Sequence, residues 1–229
     1  MARLTGLPYQ NTNHSETLNI AHRGARAFAP ENTLTAFEKA KNFGCQMFEI
    51  DVHQSLDGEL IVHHDDLLTR CTDVKCKFPD RTSYYISDFS YHELEQLDAG
   101  SWFVEQLSLP SGQRQVYLQT LTDPEIERFI TAKDLEFYQS GEVKLPTLKE
   151  TLAFALDKGL MVNIEIKSLP RMYPGIANAV VDLINSMAMQ ANVLVSSFDH
   201  IQLQLVRQRS KKIATGVLTS DRMVNAAKY

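Results

Sequence analysis

Short apolar runs rich in branched side chains alternate along this sequence with longer stretches whose apolar residues recur at helical spacing. This alternation is typical of βα units, in which a helix connects one parallel strand to the next. The predicted strands are Leu18–Ala21, Met47–Val52, Leu160–Ile166, Val193–Ser196 and Ile213–Leu218. The predicted helices are Thr33–Phe43, Leu148–Asp157, Ile176–Met189 and Ile201–Arg209. The sequence therefore predicts an α/β fold built around a parallel sheet.

The alternation is interrupted between residues 71 and 144. This stretch is polar and rich in turn residues, with a short DAGSWF segment and a predicted helix at Asp123–Lys133. A loop of such length without structure of its own is unusual in a compact domain. We therefore expect an insertion, at about residues 71–144, that folds in its own right.

The composition is that of a single soluble domain without a nucleic-acid partner. The chain has 229 residues and a formal net charge of -5, and its basic run at 207–212 is typical of a solvated helix end. Cys45, Cys71 and Cys76 lack metal-binding spacing and are expected to be free thiols. No segment has the pattern of a secretory signal or the length of a transmembrane helix. We expect a cytoplasmic protein with no stable membrane insertion; the sequence leaves its oligomeric state open.

Charged residues stand where two of the predicted strands end. In FEIDVH, Glu49 and Asp51 are two residues apart and project from the same face of a strand, and Glu165 and Lys167 repeat this spacing in NIEIKS. Buried charges are costly unless they are paired or bind a metal. Three converging carboxylates suit a hard cation such as Mg²⁺ or Ca²⁺. The alternative is that Glu49 and Asp51 are simply ion-paired with Arg23 and Lys167.

Histidines end two apolar runs. His22 and Arg23 follow the first predicted strand, and LIVHHDD ends in His63, His64 and Asp65. Two imidazoles can supply a proton acceptor and a proton donor, while arginine and lysine can bind an anion. With a metal held by carboxylates, this set suits phosphoryl transfer, in which catalysis is mainly positioning and charge neutralisation. The residues alone predict metal-assisted phosphodiester chemistry.

Several short motifs follow one another along almost the whole chain. They are HRG at 22–24, PENT at 30–33, EIDV at 49–52, DG at 57–58, HD at 64–65, DAGSWF at 98–103, LPTLKETL at 145–152, IEIK at 164–167 and SSFD at 196–199. In this order they resemble the glycerophosphodiester phosphodiesterases. Each motif is weak alone, whereas the ordered set is specific.

The resemblance implies a (β/α)8 TIM barrel of the phosphodiesterase type, with the site at the C-terminal ends of the strands and the insertion after the second strand region. It implies hydrolysis of glycerophosphodiesters to glycerol 3-phosphate and an alcohol, through attack of the substrate's own glycerol hydroxyl and a cyclic phosphate that water opens. The implied site consists of Glu49, Asp51 and Glu165 as ligands of one divalent cation, His22 and His64 as acid/base pair, and Arg23 and Lys167 as phosphate contacts.

Two histidines near the motifs need a separate interpretation. His63 and His64 are adjacent, so in a strand only one of them can face the site, and the HD motif selects His64. His53 shares the face of Asp51 and could line the pocket. The sequence leaves open which of His22 and His64 is the base in the first step.

Other residues at the motifs have structural and functional interpretations. Glu31 and Asn32 are interpreted as a turn that prepares the first helix. Phe198, after the fourth major strand, either contacts the glycerol part of the substrate or packs at the barrel rim. Trp102 either covers the pocket as a lid or belongs to a small core of the insertion, and the family pattern favours the lid.

The chain also departs from the family pattern. Five barrel strands are predicted within residues 1–229, whereas closure takes eight. We expect a single catalytic barrel domain whose C-terminal units are missing from this chain. Two alternative functions stay open: a related phospholipase D-like enzyme acting on lysophospholipid or sphingomyelin, and a non-catalytic ligand-binding remnant. The presence of both histidines favours an enzyme.

Overall fold

The computed structural model describes residues 17–222, and its centre is a parallel sheet. The strands are β1 Ile20–His22, β2 Met47–Gln54, β3 Leu60–Val62, β4 Met161–Ile166, β5 Val193–Ser197 and β6 Ala214–Val217. Five of them lie side by side and parallel in the order β1, β2, β4, β5, β6. The five predicted barrel strands are thus confirmed, with shifts of one or two residues at most of their ends.

The sheet also contains a short strand, β3, that the βα pattern does not predict. It pairs antiparallel with the end of β2, and Val52 lies opposite Val62. Gly58, with φ 92°, turns the chain between the two strands, because glycine adopts this left-handed conformation without strain. The hairpin brings the HHDD segment back beside the C-terminal end of β2.

Helices connect the strands and cover one side of the sheet. They are α1 Leu34–Asn42, α7 Leu148–Lys158, α8 Ile176–Ser186 and α9 His200–Arg209. Thr33 caps α1 by accepting a hydrogen bond from the amide of Ala36, and Thr147 forms a capping box with Glu150 at the start of α7. These caps confirm the predicted helix starts.

The insertion is helical. It contains α2 Val74–Lys77, α3 Tyr91–Leu94, α4 Ser101–Ser108, α5 Asp123–Phe129 and α6 Ala132–Tyr138. The single helix predicted at Asp123–Lys133 is wrong, because the chain ends α5 at Phe129 and starts α6 anew. Thr131 and Asp134 form a capping box there, and this arrangement competes with continuation of the first helix.

Two separate apolar clusters stabilise the described chain. One lies between the sheet and helices α7, α8 and α9, and the other includes most of the insertion. Trp102 belongs to the second cluster: it is 8% exposed, contacts the ring of Phe103 and donates its indole hydrogen bond to the carbonyl of Ala99. The lid interpretation of Trp102 is therefore wrong.

Within residues 17–222, β1 and β6 each pair with one neighbouring strand, so the described sheet is open at both edges. None of the helices in this part of the chain has the length and apolar character needed to cross a bilayer.

Candidate active site

The candidate site lies at the C-terminal ends of β1, β2 and β4. The strand register places His22 opposite Glu49, and Asp51 opposite Glu165. Because side chains alternate along a strand, Glu49 and Asp51 project together, and Glu165 extends from the neighbouring strand beside them. The parallel sheet therefore converts a spacing of two residues into a cluster of carboxylates.

The three carboxylates lie close enough to hold one metal ion. One oxygen from each of Glu49, Asp51 and Glu165 lies within 4.8 Å of the others, and all three residues are buried. Oxygen Oε1 of Glu49 has no hydrogen-bond partner among the described residues. Burial and the charges of Asp51 and Glu165 raise the pKa of Glu49 to about 8. An all-oxygen donor set with an unpartnered buried oxygen fits a hard divalent cation.

Basic residues also contact this cluster, as the ion-pair interpretation expected. The ammonium of Lys167 lies 2.9 Å from Oδ1 of Asp51 and contacts the carboxylate of Glu165. Nε of Arg23 lies 3.4 Å from Oδ2 of Asp51. Burial alone would raise the pKa of Asp51, but these cations lower it, so this carboxylate is ionised. The ion pairs neutralise Asp51 and leave Glu49 without such a partner on Oε1.

A left-handed turn after β1 places His22 and Arg23 at the cluster. Arg23 has φ 61° and Gly24 has φ 76°. A Cβ at Gly24 would lie 2.8 Å from the backbone of Ala36, so no side chain fits there. The turn lets the amide of Arg23 donate a 3.0 Å hydrogen bond to Oε2 of Glu49.

His22 is half-exposed beside the same carboxylate. Its Nε2 lies 3.7 Å from Oε2 of Glu49. Burial and the charges of Arg23 and Arg26 lower the pKa of His22 to about 4. At neutral pH the imidazole of the metal-free protein is therefore neutral and can accept a proton.

His64 lies in the loop after β3, close enough to His22 and Asp51 for a charge on its ring to lower the pKa of each. Its Nδ1 lies 2.6 Å from Oδ1 of Asp65. Arg70 donates two hydrogen bonds to Asp65, at 2.6 and 3.0 Å. Burial by itself would raise the pKa of Asp65, but His64 and Arg70 hold it well below its usual range. Because an ionised carboxylate only accepts, Nδ1 of His64 carries a proton and Nε2 is left for the substrate.

His53 supports His64 through the backbone. Its Nε2 lies 3.1 Å from the carbonyl oxygen of His64, and its Nδ1 lies 2.9 Å from the hydroxyl of Tyr173. A carbonyl only accepts, so Nε2 carries the proton and Nδ1 accepts from Tyr173. Burial lowers the pKa of His53 to about 3, which keeps the ring neutral. Both ring nitrogens are thus occupied, and His53 contributes to the site by position.

Two residues interpreted as turn residues belong to the site. The amide of Asn32 donates a 2.9 Å hydrogen bond to Oδ2 of Asp51. Oε1 of Glu31 accepts hydrogen bonds from Arg23 at 3.1 Å and from Arg70 at 2.7 Å. Glu31 thereby connects Arg23, which lies beside the carboxylate cluster, to Arg70, which binds the Asp65 partner of His64. The PENT motif was the sequence signal for both residues, but it does not reveal which side chains they meet.

Phe198 lies at the edge of the site. It is 53% exposed and lines a cavity of about 250 Å³ together with Glu165, Lys167 and Leu169. His63, in contrast, is buried, and its Nε2 lies 3.4 Å from the carbonyl of Leu67. The structure therefore brings seven predicted site residues to the ends of the strands and places Phe198 beside them.

The sequence profile of the glycerophosphoryl diester phosphodiesterase family matches residues 22–228. The chain belongs to this family. A glycerophosphodiester phosphodiesterase from Caldanaerobacter subterraneus is 32% identical over 203 residues, which cover 89% of this chain and 67% of the relative. The chain thus spans about two thirds of the length of this relative. The family predicted from the motifs is confirmed.

Solved structures of phosphodiesterases resemble this chain in fold. One from Silicibacter pomeroyi, described as a putative glycerophosphoryl diester phosphodiesterase, has a TM-score of 0.69 at 25% identity and covers 90% of this chain and 66% of its own. A phosphodiesterase from Oleispira antarctica, solved with the product sn-glycerol-3-phosphate, has a TM-score of 0.64 at 26% identity, with coverages of 91% and 68%. The predicted barrel-type α/β fold and the predicted class of enzyme agree with the family.

The pH dependence of stability tests the role of Glu31 in this network of hydrogen bonds. Burial alone would raise its pKa, but the hydrogen bond from Arg70 and the charges of Arg70 and Arg23 lower it to about 2. A carboxyl whose pKa is lower in the folded state stabilises that state above about pH 4.5, and this contribution is lost as the pH falls towards 2. We expect Glu31→Gln to lower the free energy of unfolding by on the order of 3 kcal/mol at pH 7.

The measurement is urea unfolding of wild type and Glu31→Gln at pH 7, 5 and 3.5. The difference between the two proteins should shrink at pH 3.5. Glu127→Gln, on the exposed face of α5, is the matched control and should change little. A difference that is the same at every pH would contradict the assignment of an ionised Glu31.

Proposed function

We propose that this chain holds one divalent cation, Mg²⁺ or Ca²⁺, between Glu49, Asp51 and Glu165, and hydrolyses glycerophosphodiesters to glycerol 3-phosphate and an alcohol. The observation that carries the proposal is the set of three buried carboxylates within 4.8 Å, which includes an unpartnered oxygen of Glu49. The product found in the related Oleispira antarctica phosphodiesterase supports the same chemistry. When bound, the cation supplies polarisation of a phosphoryl oxygen and offsets developing negative charge.

The phosphate of the substrate would meet two positive side chains. Arg23 and Lys167 already contact the carboxylates, and each carries donors that can turn to phosphoryl oxygens. Phe198 would contact the glycerol carbons at the rim of the 250 Å³ cavity. These contacts would fix the phosphorus atom between His22 and His64.

The two histidines would move the protons in two steps. First, His22 takes the proton of the glycerol hydroxyl as its oxygen bonds to phosphorus, and His64, protonated on both ring nitrogens, gives its Nε2 proton to the departing alcohol oxygen. Then water attacks the cyclic phosphate, His64 takes its proton, and His22 returns a proton to the glycerol oxygen. Water is consumed, and both histidines end as they began. The low pKa of His22 supports its role as the first base.

The proposal predicts metal-dependent release of glycerol 3-phosphate from glycerophosphocholine. After treatment with EDTA the release should fall to background, because the carboxylates alone cannot polarise the phosphate, and added Mg²⁺ or Ca²⁺ should restore it. An enzymatic assay for glycerol 3-phosphate measures this directly.

Two controls make this result decisive. Glu165→Gln should lose both metal binding, measured by calorimetry, and turnover. Lysophosphatidylcholine tested in parallel separates hydrolysis of small diesters from a phospholipase. Full activity in EDTA, turnover of the lipid alone, or binding of metal and glycerophosphocholine without turnover would each contradict the proposal.

A further inference from the structure

The insertion reaches the site through the loop between α4 and α5. In this loop Val116 is 81% exposed, whereas Tyr117 on the other side of the backbone is turned towards Glu31. The hydroxyl of Tyr117 donates a 2.9 Å hydrogen bond to Oε2 of Glu31. The guanidinium of Arg26 lies 4.5 Å from the centre of the Tyr117 ring and covers its face. A residue of the insertion thus fixes the carboxylate of Glu31.

The same loop holds Arg70. Oε1 of Gln115 accepts a 2.9 Å hydrogen bond from Nη1 of Arg70. The other nitrogens of Arg70 contact Asp65 and Glu31, so the guanidinium is held on each of its edges. A guanidinium is planar and presents its donors in a fixed fork, and fixing all edges therefore fixes the carboxylate that it binds. That carboxylate is Asp65, the partner of Nδ1 of His64.

The loop is built rigidly on the insertion. The amide of Gln115 donates a 2.8 Å hydrogen bond to the side chain of Gln106, near the end of α4. Arg114 is buried and donates to the carbonyls of Leu107 and Leu109, at 3.1 and 3.0 Å. These contacts tie the loop to a helix whose apolar side chains belong to the second core cluster. The position of the loop is therefore set by the insertion.

We propose that Tyr117 and Gln115 are positioning residues for His64, acting through Glu31, Arg70 and Asp65. This inference rests on the proposed function of His64 as the acid that protonates the departing alcohol. The insertion would hold the Nδ1–H tautomer of His64, and with it the direction in which Nε2 faces the substrate. Neither residue would touch the substrate.

The test uses Tyr117→Phe and the double variant Tyr117→Phe/Gln115→Leu, because these changes remove hydrogen-bonding groups and largely keep volume. Tyr84→Phe is the matched control: its hydroxyl, also in the insertion, donates to the carbonyl of Phe78 and lies outside the network. Each protein is assayed with glycerophosphocholine and with glycerophospho-p-nitrophenol. The p-nitrophenol group departs without a proton, so its release does not need the acid.

We expect Tyr117→Phe to lower kcat for glycerophosphocholine about tenfold, and the double variant to lower it further, with little change in KM. Initial release of p-nitrophenol, before the cyclic phosphate is opened, should change less than threefold in both variants, since a misplaced acid is not needed there. Loss of structure alone would lower both activities together and would lower Tm. Equal losses on the two substrates, or no loss on either, would overturn the inference.

A second measurement does not depend on turnover. Nitrogen NMR of the imidazoles in the metal-free chain reports which ring nitrogen of His64 carries the proton. At a pH where the ring is neutral, the wild type and Tyr84→Phe should show the Nδ1–H tautomer, and the double variant should show a mixture of both tautomers. An unchanged tautomer in the double variant would overturn the inference. If the wild type has no activity, the proposed function fails while this measurement still decides the positioning role.

Discussion

Replacing His64 with alanine is expected to lower kcat for glycerophosphocholine by about 10²–10⁴-fold, and His22→Ala should have an effect of similar size. His22 ends β1 beside Glu49, and His64 lies in the loop after β3 beside Asp65. His64 binds the ionised Asp65 through Nδ1, whereas the low pKa of His22 keeps that ring neutral. Without either ring, a proton must move to or from bulk water.

The departing group distinguishes the two roles. With glycerophospho-p-nitrophenol, initial release of p-nitrophenol by His64→Ala should approach that of the wild type, because this group needs no proton to depart. His22→Ala should be impaired on both substrates, since the attacking hydroxyl must lose its proton in either case. Initial rates of p-nitrophenol and choline release give the comparison.

His92→Ala is the matched control for these variants. His92 is exposed, and its Nδ1 lies 2.7 Å from Oε1 of Glu95 in the insertion. It should keep wild-type activity. If His22→Ala or His64→Ala kept kcat for glycerophosphocholine within threefold of wild type, with unchanged Tm, the acid/base assignment would be wrong.

Removing the charge of Lys167 is expected to separate metal binding from turnover. Its ammonium lies against Asp51 and Glu165, where it competes with a divalent cation for the same oxygens. Two unit charges 4 Å apart interact by about 4 kcal/mol at an effective dielectric constant of 20. We expect Lys167→Met to bind Mg²⁺ at least about tenfold more tightly, because relaxation of the site consumes part of this energy.

Turnover should change in the opposite direction. The phosphate loses a positive contact in Lys167→Met, and kcat should fall by about 10²–10³-fold even at saturating Mg²⁺. Calorimetry with Mg²⁺ and the glycerol 3-phosphate assay measure the two effects separately. Lys144→Met, at an exposed position of the insertion, should change neither. Weaker Mg²⁺ binding in Lys167→Met would show that the lysine supports the cation site and does not compete with it.

The strand alternation and the strand-end charges were readable in the sequence because they depend on local spacing. A period of two places Glu49 and Asp51 on one face of any strand, and the carboxyl ends of parallel strands meet at one edge of the sheet. The same reasoning brought Glu165 and Lys167 to this edge, as the register of β2 and β4 shows. The ordered motifs added the family and the roles implied for the histidines.

The contacts that hold these side chains in place were decided only by the tertiary structure. Glu31 and Tyr117 are 86 residues apart, and His53 and Tyr173 are 120 apart, yet each pair shares a hydrogen bond. No periodicity links residues so distant, because their approach depends on how the insertion and the loops pack. The lid prediction for Trp102 was wrong for the same reason, since burial in the second apolar cluster is a property of the packed chain.

The sequence by itself therefore determined which charged residues meet at the candidate site and which strands carry the carboxylates, because both follow from spacing along the backbone. The tertiary structure decided that Oε1 of Glu49 has no hydrogen-bond partner among the described residues and that Arg70 holds Asp65. It also decided that Glu31 connects the two halves of the site. These contacts result from three-dimensional packing and from competition among buried charges. The sequence gives the charge of each residue, but the distances between the charges are set only by the folded chain.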